Sequence, residues 1–174
     1  LHLTLSHQSL IPHKLAYPPV LIANGVLSSL RQDLFVVEHQ QLYEAWASPA
    51  ADDANALVYQ QRPLSGGYLD CVHADLLEHY RQRLPNCALL FPFQALQLLK
   101  YVYCLHGQEL LLLCADQCLH QELELTRQRE FQPGATLTTP PLNAYALDRI
   151  IIAQGGKVWH SLSDGSDSPS VLAA

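Results

Sequence analysis

Two short, continuously apolar runs place the strongest limit on the fold of this chain. They are Val20–Ala23, which follows a Tyr-Pro-Pro turn signal, and Glu109–Ala115, which ends at Asp116. Their length suits a strand, and uninterrupted apolar residues are typical of strands that are buried on both faces of a parallel sheet. Because helical patterns alternate with the strand patterns, the sequence predicts an α/β sheet with helices packed on its faces.

The rest of the chain predicts a hairpin, three helices and two more strands. Pro85 and Gly107 supply stop signals for the first two helices. Residues 47–67 are predicted to be a surface connection with an edge strand at Leu57–Tyr59, and residues 117–137 are either an exposed helix or a long insertion. The main predicted elements are, in chain order, a hairpin over Asp33–Trp46, a helix over Ala74–Leu84, a strand over Ala88–Phe91, a helix over Phe93–His106, a helix carrying Leu142–Ile151 and a strand over Val158–Leu162.

The composition predicts a soluble globular protein without a nucleic-acid partner. A chain of 174 residues suits one folding unit. Apolar residues make up 49% and charged residues 15%, which excludes a disordered segment, a coiled coil and a collagen-like chain. The net charge of -6 argues against nucleic acid, because binding to phosphates depends on clustered cations.

Targeting signals are absent from these residues, which predicts a cytoplasmic protein with no membrane partner. The longest apolar stretch, Leu110–Ala115, is far shorter than the roughly 18–20 residues of a membrane helix. Leu1–Leu10 alternates apolar and polar residues, unlike a signal peptide. Five cysteines, an odd number and mostly within apolar segments, fit buried thiols better than a disulfide framework.

The ends of the sequence predict a fragment with a disordered tail. The chain opens on Leu1 and contains no methionine, so we expect it to be a piece of a longer protein. Residues 1–162 are expected to belong to one domain. Residues 163–174 are rich in Ser, Asp, Gly and Pro and are predicted to be disordered.

Two polar residues end the apolar runs and are the candidates for a ligand site. Asn24 follows the first run and Asp116 follows the second. In an open α/β sheet, ligands bind beyond the carboxyl ends of the strands, where both side chains are expected to lie. The alternative is that each is a turn former, since Asn and Asp hydrogen-bond their own backbone as a chain leaves a strand.

A hydrolase and a nucleotide site of the familiar types are both disfavoured. The residue types of a hydrolase triad occur in Ser28, Ser161, His160 and Asp116. No Gly-x-Ser-x-Gly segment is present to hold a serine at a strained turn. The glycine pairs, Gly66-Gly67 and Gly155-Gly156, do not belong to a Gly-x-Gly-x-x-Gly loop.

A zinc site is also disfavoured. Cys114 and Cys118 stand four residues apart with His120 beyond them. A structural zinc site usually needs a second pair of ligands at suitable spacing, which the sequence lacks. Because the other histidines are scattered, the sequence predicts buried thiols beside a surface histidine and no metal.

Three segments resemble one family. Val20–Leu30 (VLIANGVLSSL) resembles the segment that ends the fourth strand of class I S-adenosylmethionine-dependent methyltransferases of the MidA-like group, where Asn-Glu precedes an Asp-Ala-Leu-Pro turn. Leu90–Leu96 (LFPFQAL) resembles the family's strand, proline and helix. Gly107–Asp116 (GQELLLLCAD) resembles its entry into a strand that ends in Asp-Tyr-Gly. The likeness covers about residues 18 to 162.

The resemblance implies the carboxyl-terminal half of a Rossmann-like methyltransferase domain with a β-hairpin insertion. It implies S-adenosyl-L-methionine as cofactor, a protein side chain as methyl acceptor, and cofactor contacts from Asn24 and Asp116. The chain departs from the family where Gly25 and Ser28 stand at acidic positions. Two alternatives therefore stay open: a degenerate, non-catalytic interaction or assembly module of the same fold, and an independent small-molecule-binding α/β domain.

Overall fold

The computed structural model describes residues 15–49, 57–64, 73–126, 140–161 and 170–173. The helices are α1 (Ala74–Arg83), α2 (Phe93–Tyr103), α3 (Glu122–Leu125) and α4 (Ala144–Ala153). The strands are β1 (Val20–Asn24), β2 (Asp33–Glu38), β3 (Gln41–Pro49), β4 (Leu57–Pro63), β5 (Cys87–Phe91), β6 (Leu111–Asp116), β7 (Cys118–Leu119), β8 (Leu142–Asn143), β9 (Trp159–His160) and β10 (Ser170–Ala173). Within these ranges, none of the helices has the length and apolar character needed to cross a bilayer.

The two apolar runs form neighbouring strands of one sheet, called the mixed sheet below. Its strand order is β1-β6-β10-β9. β1 and β6 are parallel, with Val20 opposite Leu111 and Asn24 opposite Ala115. β10 runs antiparallel to both β6 and β9. The predicted parallel pairing is therefore confirmed for the two apolar runs, while the far side of the sheet is antiparallel.

A second sheet, called the hairpin sheet below, contains the predicted hairpin. Its order is β4-β3-β2-β5, and all of its strands pair antiparallel. His39 and Gln40 connect β2 to β3 with φ values of 51° and 58°, as a two-residue hairpin turn requires. β5 pairs with β2, where the fully buried rings of Phe35 and Phe91 meet edge to face at 6.0 Å. The sequence pattern predicted β5 as a strand without indicating that it joins the hairpin.

The mixed sheet buries only one of its faces in the described part of the chain. On the buried side, Ala23, Leu112 and Cys114 are each at most 2% exposed and belong to the core that includes residues of α2 and α4. The opposite side, called the bare face below, carries four exposed large apolar residues: Val20, Ile22, Leu111 and Trp159. The expectation that the apolar runs are buried on both faces is therefore wrong among the described residues.

The end of the chain also differs from the prediction. Residues 163–174 were expected to be disordered, but Ser170–Ala173 form β10, which pairs with β6 from Ser170 opposite Asp116 to Ala173 opposite Leu113. β10 also places β9 in the sheet, with Leu172 opposite His160. The local sequence carries little signal for this strand, since the apolar segment Val171–Ala173 is only three residues long and contains one residue type, valine, that is enriched in strands. Residues 162–169 lie outside the described ones.

Asn143 joins the hairpin sheet to the helices and is completely buried. It is the N-cap of α4, where its side-chain oxygen accepts the backbone N–H of Ala146 at 3.0 Å. Its amide nitrogen donates to the carbonyl of Leu90 in β5 at 2.8 Å and to the hydroxyl of Tyr80 in α1 at 3.3 Å. One amide side chain thus fixes the start of α4 against both β5 and α1.

Replacing this residue tests its structural role. We expect Asn143→Ala to lower the free energy of unfolding by about 2–4 kcal/mol, because it removes a helix cap and leaves buried groups of Leu90 and Tyr80 without their partner. Urea denaturation followed by circular dichroism measures the loss. The control is Asn86→Ala, which removes an exposed hydrogen bond to the N–H of His39 and should cost less than about 1 kcal/mol. Equal losses in the two variants would contradict this role.

Candidate functional site

The two predicted site residues lie at the same edge of the mixed sheet but on opposite faces. Because β1 and β6 are parallel, their carboxyl ends meet at one edge, where Asn24 and Asp116 are found. Asn24 is opposite Ala115, so these two side chains lie on the same face of the sheet. Asp116 is the next residue in β6 and therefore points to the other face, because side chains alternate along a strand. Asn24 is exposed, whereas Asp116 is only 2% exposed. The sequence located the edge but not the faces.

The carboxylate of Asp116 is already occupied by the protein. Its Oδ1 accepts a hydrogen bond from the hydroxyl of Ser28 at 2.5 Å. Its Oδ2 accepts from the backbone N–H of Leu27 and from the thiol of Cys114, both at 3.3 Å. Leu27 is fully buried, so this carboxylate anchors the turn after β1 to the end of β6. Both oxygens are thus engaged inside the protein, and the cofactor contact that the resemblance implies for Asp116 stays a prediction.

Asn24, by contrast, is exposed at the end of β1. The next residue, Gly25, has a φ of 62°, a left-handed conformation that favours glycine, and its N–H donates to the carbonyl of Ala115 at 2.9 Å. This sharp turn leaves the side chain of Asn24 at the edge of the sheet. It also gives a physical reason for the absence of an acidic residue at position 25, where a side chain would be strained.

The role of Asp116 can be measured by removing its charge. We expect Asp116→Asn to lower the free energy of unfolding by about 2–4 kcal/mol, because the amide nitrogen of asparagine cannot accept a hydrogen bond and would face a donor at one of the two oxygen positions. Asp75→Asn, at an exposed position in the first turn of α1, is the matched control and should cost less than about 1 kcal/mol. Chemical denaturation of both variants provides the comparison. Unchanged stability in Asp116→Asn would overturn the anchoring role.

A cavity of about 110 Å³ lies away from this edge. It is lined by Leu96 and Lys100 of α2, by Ile150 of α4, and by Leu110 and Leu112 at the amino-terminal end of β6. Its lining is mainly apolar, and the carboxyl ends of β1 and β6 are at the other end of the strands. The cavity is therefore not at the edge where ligands of open α/β sheets bind.

A cluster of His120, Asp148 and His160 is the polar feature that sequence reasoning missed. His120 follows β7, Asp148 lies in α4 and His160 lies in β9. The Nε2 of His160 lies 2.8 Å from Oδ2 of Asp148, and the two imidazole rings are 4.2 Å apart at their centres. No short-range spacing in the sequence could reveal this cluster, since its members come together only when α4 and β9 pack beside β7.

The electrostatics of this cluster follow from its burial. Burial lowers the pKa of His120, and the neighbouring His160 lowers it further. Burial raises the pKa of Asp148, while its contact with His160 opposes that change. Both nitrogens of His120 and the Oδ1 atom of Asp148 are buried without a hydrogen-bond partner in the part of the chain that the structure describes.

Ser28 and His160, two of the hydrolase residue types considered from sequence, do not share a carboxylate in the described part of the chain. Of the hydrolase residue types, Ser28 pairs with Asp116, whereas His160 pairs with a different carboxylate, Asp148. Burial raises the pKa of Cys118 to about 12, and the charges of Asp116 and Asp148 contribute. Burial also raises the pKa of Cys114, so both thiols are neutral at physiological pH and are poor nucleophiles.

Comparison with known proteins gives similarity in fold. No protein-family model matches the chain, and no curated protein matches it at a significant level. Solved structures from Burkholderia thailandensis are similar to it. One is an uncharacterized COG1565 superfamily protein, with a TM-score of 0.55 and 15% identity over 86% of this chain and 42% of the other.

A second similar structure contains a bound ligand. It is described as a COG1565 superfamily member and "likely methyl transferase" bound to S-adenosyl-homocysteine, with a TM-score of 0.54 and 13% identity over 83% of this chain and 40% of the other. The chain therefore spans less than half the length of each of these proteins. What the comparison establishes is a mixed α/β fold distantly similar to COG1565 methyltransferase-like proteins.

Proposed function

We propose that this chain is the carboxyl-terminal part of an S-adenosylmethionine-dependent methyltransferase-like domain, with Asn24 at the rim of the cofactor pocket. The observation that carries the proposal is the parallel pairing of β1 and β6, which brings an exposed Asn24 to the carboxyl edge of the mixed sheet. Ligands of open α/β sheets bind at such an edge. The similarity to a structure that contains S-adenosyl-homocysteine supports the choice of ligand.

The bare face supports the view that more of the domain packs against this chain. Val20 is 57% exposed and Ile22 is 72% exposed, although both lie among the four apolar residues that begin β1. β1 is also an edge strand in the described mixed sheet, so its outer backbone groups are available for pairing. Such a face and edge match what further strands and helices of a doubly wound sheet would cover.

In the proposed domain, this chain supplies only part of the cofactor site. These 174 residues contain no Gly-x-Gly-x-x-Gly loop, so the proposal requires the loop that holds the cofactor to come from the remainder of the domain. S-adenosylmethionine would supply the methyl group, and the protein would align the acceptor with it. This chain would contribute the polar rim at Asn24 and the rigid turn that Asp116 anchors. A protein side chain is the acceptor that the resemblance to the MidA-like group favours.

A non-catalytic assembly module is the second candidate, and two observations favour it. Asp116 is used for structure rather than for a ligand, and Gly25 stands where the resembled family has an acidic residue. The bare face with Trp159, which is 57% exposed, would then be a protein interface. The two candidates differ in whether a cofactor binds.

Titration with S-adenosyl-homocysteine separates them. We expect the full-length protein that contains this sequence to bind the ligand in calorimetry with one site. Asn24→Ala should weaken binding about tenfold, the loss of about one hydrogen bond, and leave the melting temperature unchanged because the side chain is exposed. Asn86→Ala is the matched control and should bind normally.

Three results would contradict parts of the proposal. No heat and no thermal shift with S-adenosyl-homocysteine would favour the assembly module. Binding that is equally strong in wild type and Asn24→Ala would remove Asn24 from the pocket. A drop in melting temperature in Asn24→Ala, as large as the one expected for Asp116→Asn, would mark Asn24 as structural.

A further inference from the structure

We propose that His120, Asp148 and His160 form a binding site for one divalent transition-metal ion, with zinc as the representative. This proposal goes beyond the proposed methyl transfer and does not depend on it. It also differs from the expectation of no metal drawn from the sequence, which considered His120 only together with Cys114 and Cys118.

The distances between the candidate ligand atoms suit a shared ion. One ligand atom from each residue can be chosen so that all three lie within 4.8 Å of one another. Ligands of a tetrahedral zinc ion at about 2.0–2.2 Å are separated by roughly 3.4 Å. The widest of these separations would need to close around the ion, whereas the 2.8 Å between Nε2 of His160 and Oδ2 of Asp148 would need to open slightly. Rotation of the side chains can supply both changes.

The unpaired atoms of the cluster point to a missing positive partner. Both ring nitrogens of His120 are buried without a hydrogen-bond partner among the described residues, although a neutral imidazole has one donor and one acceptor. Asp148 is only 8% exposed, and its Oδ1 atom also has no partner there. Buried polar groups are normally paired, so an unpaired nitrogen and oxygen within one cluster require an explanation. A metal ion bound by one ring nitrogen of His120 and by Oδ1 of Asp148 would give each of these two atoms a partner and would leave the second ring nitrogen without one.

The backbone around the cluster is held in place by independent contacts. The backbone N–H groups of His120 and Gln121 donate to Oε2 of Glu124 at 2.7 and 3.0 Å. Asp148 lies in α4, whose N-terminus is fixed by Asn143. His160 lies in β9, which is paired through β10 to the mixed sheet. The three ligands are thus on supported elements, as a preformed metal site requires.

The ligand set selects the class of ion. Two imidazoles and a carboxylate are typical of catalytic zinc and of non-haem Fe(II), whereas Ca²⁺ and Mg²⁺ prefer oxygen ligands. Three protein ligands leave a coordination position for water or for a substrate. The competing explanation is a simple ion pair between Asp148 and His160, with His120 packed against it. That explanation leaves both ring nitrogens of His120 without a partner among the described residues.

The test uses the full-length protein that contains this sequence, after treatment with a chelator. We expect isothermal titration with Zn²⁺ to show one equivalent bound at micromolar or lower Kd. Titration with Co²⁺ should give the visible absorption of a four- or five-coordinate ion without a thiolate-to-cobalt charge-transfer band. His120→Leu, His160→Ala and Asp148→Asn should each weaken Zn²⁺ binding at least tenfold.

Matched controls separate this site from adventitious binding. His106→Ala removes a histidine that contacts another carboxylate, that of Glu109, and should bind Zn²⁺ as the wild type does. Cys104→Ser removes an exposed thiol and should also have no effect. Because His120 makes no side-chain hydrogen bond within the described residues, His120→Leu is expected to keep its circular dichroism spectrum and melting temperature without metal.

Three results would overturn the metal site, and one would support it. Normal Zn²⁺ binding by His120→Leu would overturn the site and leave the ion pair as the explanation. Absence of binding in the folded wild type, or a loss of binding in Cys104→Ser, would also overturn it. Loss of binding in His120→Leu with retained melting temperature and retained affinity for S-adenosyl-homocysteine in the full-length protein would support the metal site independently of the proposed function.

Discussion

The structure depends on one buried amide. Asn143 has no solvent exposure, yet all of its described hydrogen bonds run to different elements: the first turn of α4, the backbone of β5 and the hydroxyl of Tyr80 in α1. A buried amide is tolerated only where its donors and acceptors are satisfied, so these elements can meet in few arrangements. Burial raises the pKa of Tyr80 well above its ordinary value, in keeping with a neutral hydroxyl in this network. The position of α4, and hence of Asp148, follows from this network.

The buried carboxylate of Asp116 likewise holds neighbouring segments together, at the edge of the mixed sheet. Asp116 could have faced a ligand, but it accepts from Leu27, Ser28 and Cys114 instead. This contact makes the turn after β1 rigid and leaves Asn24 as the exposed polar side chain next to it. The two proposed sites therefore have one feature in common. Buried polar groups hold the backbone in place, and nearby polar side chains without such a structural role can bind a ligand.

Much of the fold could be predicted from local pattern. Helical spacing located α1, α2 and α4, and the hairpin of β2 and β3 followed from two apolar segments around a polar turn. The resemblance to a methyltransferase family agrees with the structure at the level of the α/β fold, through distant similarity to COG1565 proteins. The pairing of β5 with the hairpin and the strand β10 were not predicted, because partner choice between strands depends on residues far apart in the sequence.

The sequence by itself determined the three longer helices, the hairpin and the strands β1, β5 and β6, and that two polar residues end the apolar runs. It could do so because strand and helix periodicity are local properties of neighbouring residues. Only the tertiary structure decided that Asn24 and Asp116 lie on opposite faces, since a register shift of one residue reverses the direction of a side chain. It also decided that His120, Asp148 and His160 meet, because packing of α4 and β9 against β7 brings together residues that no spacing rule connects.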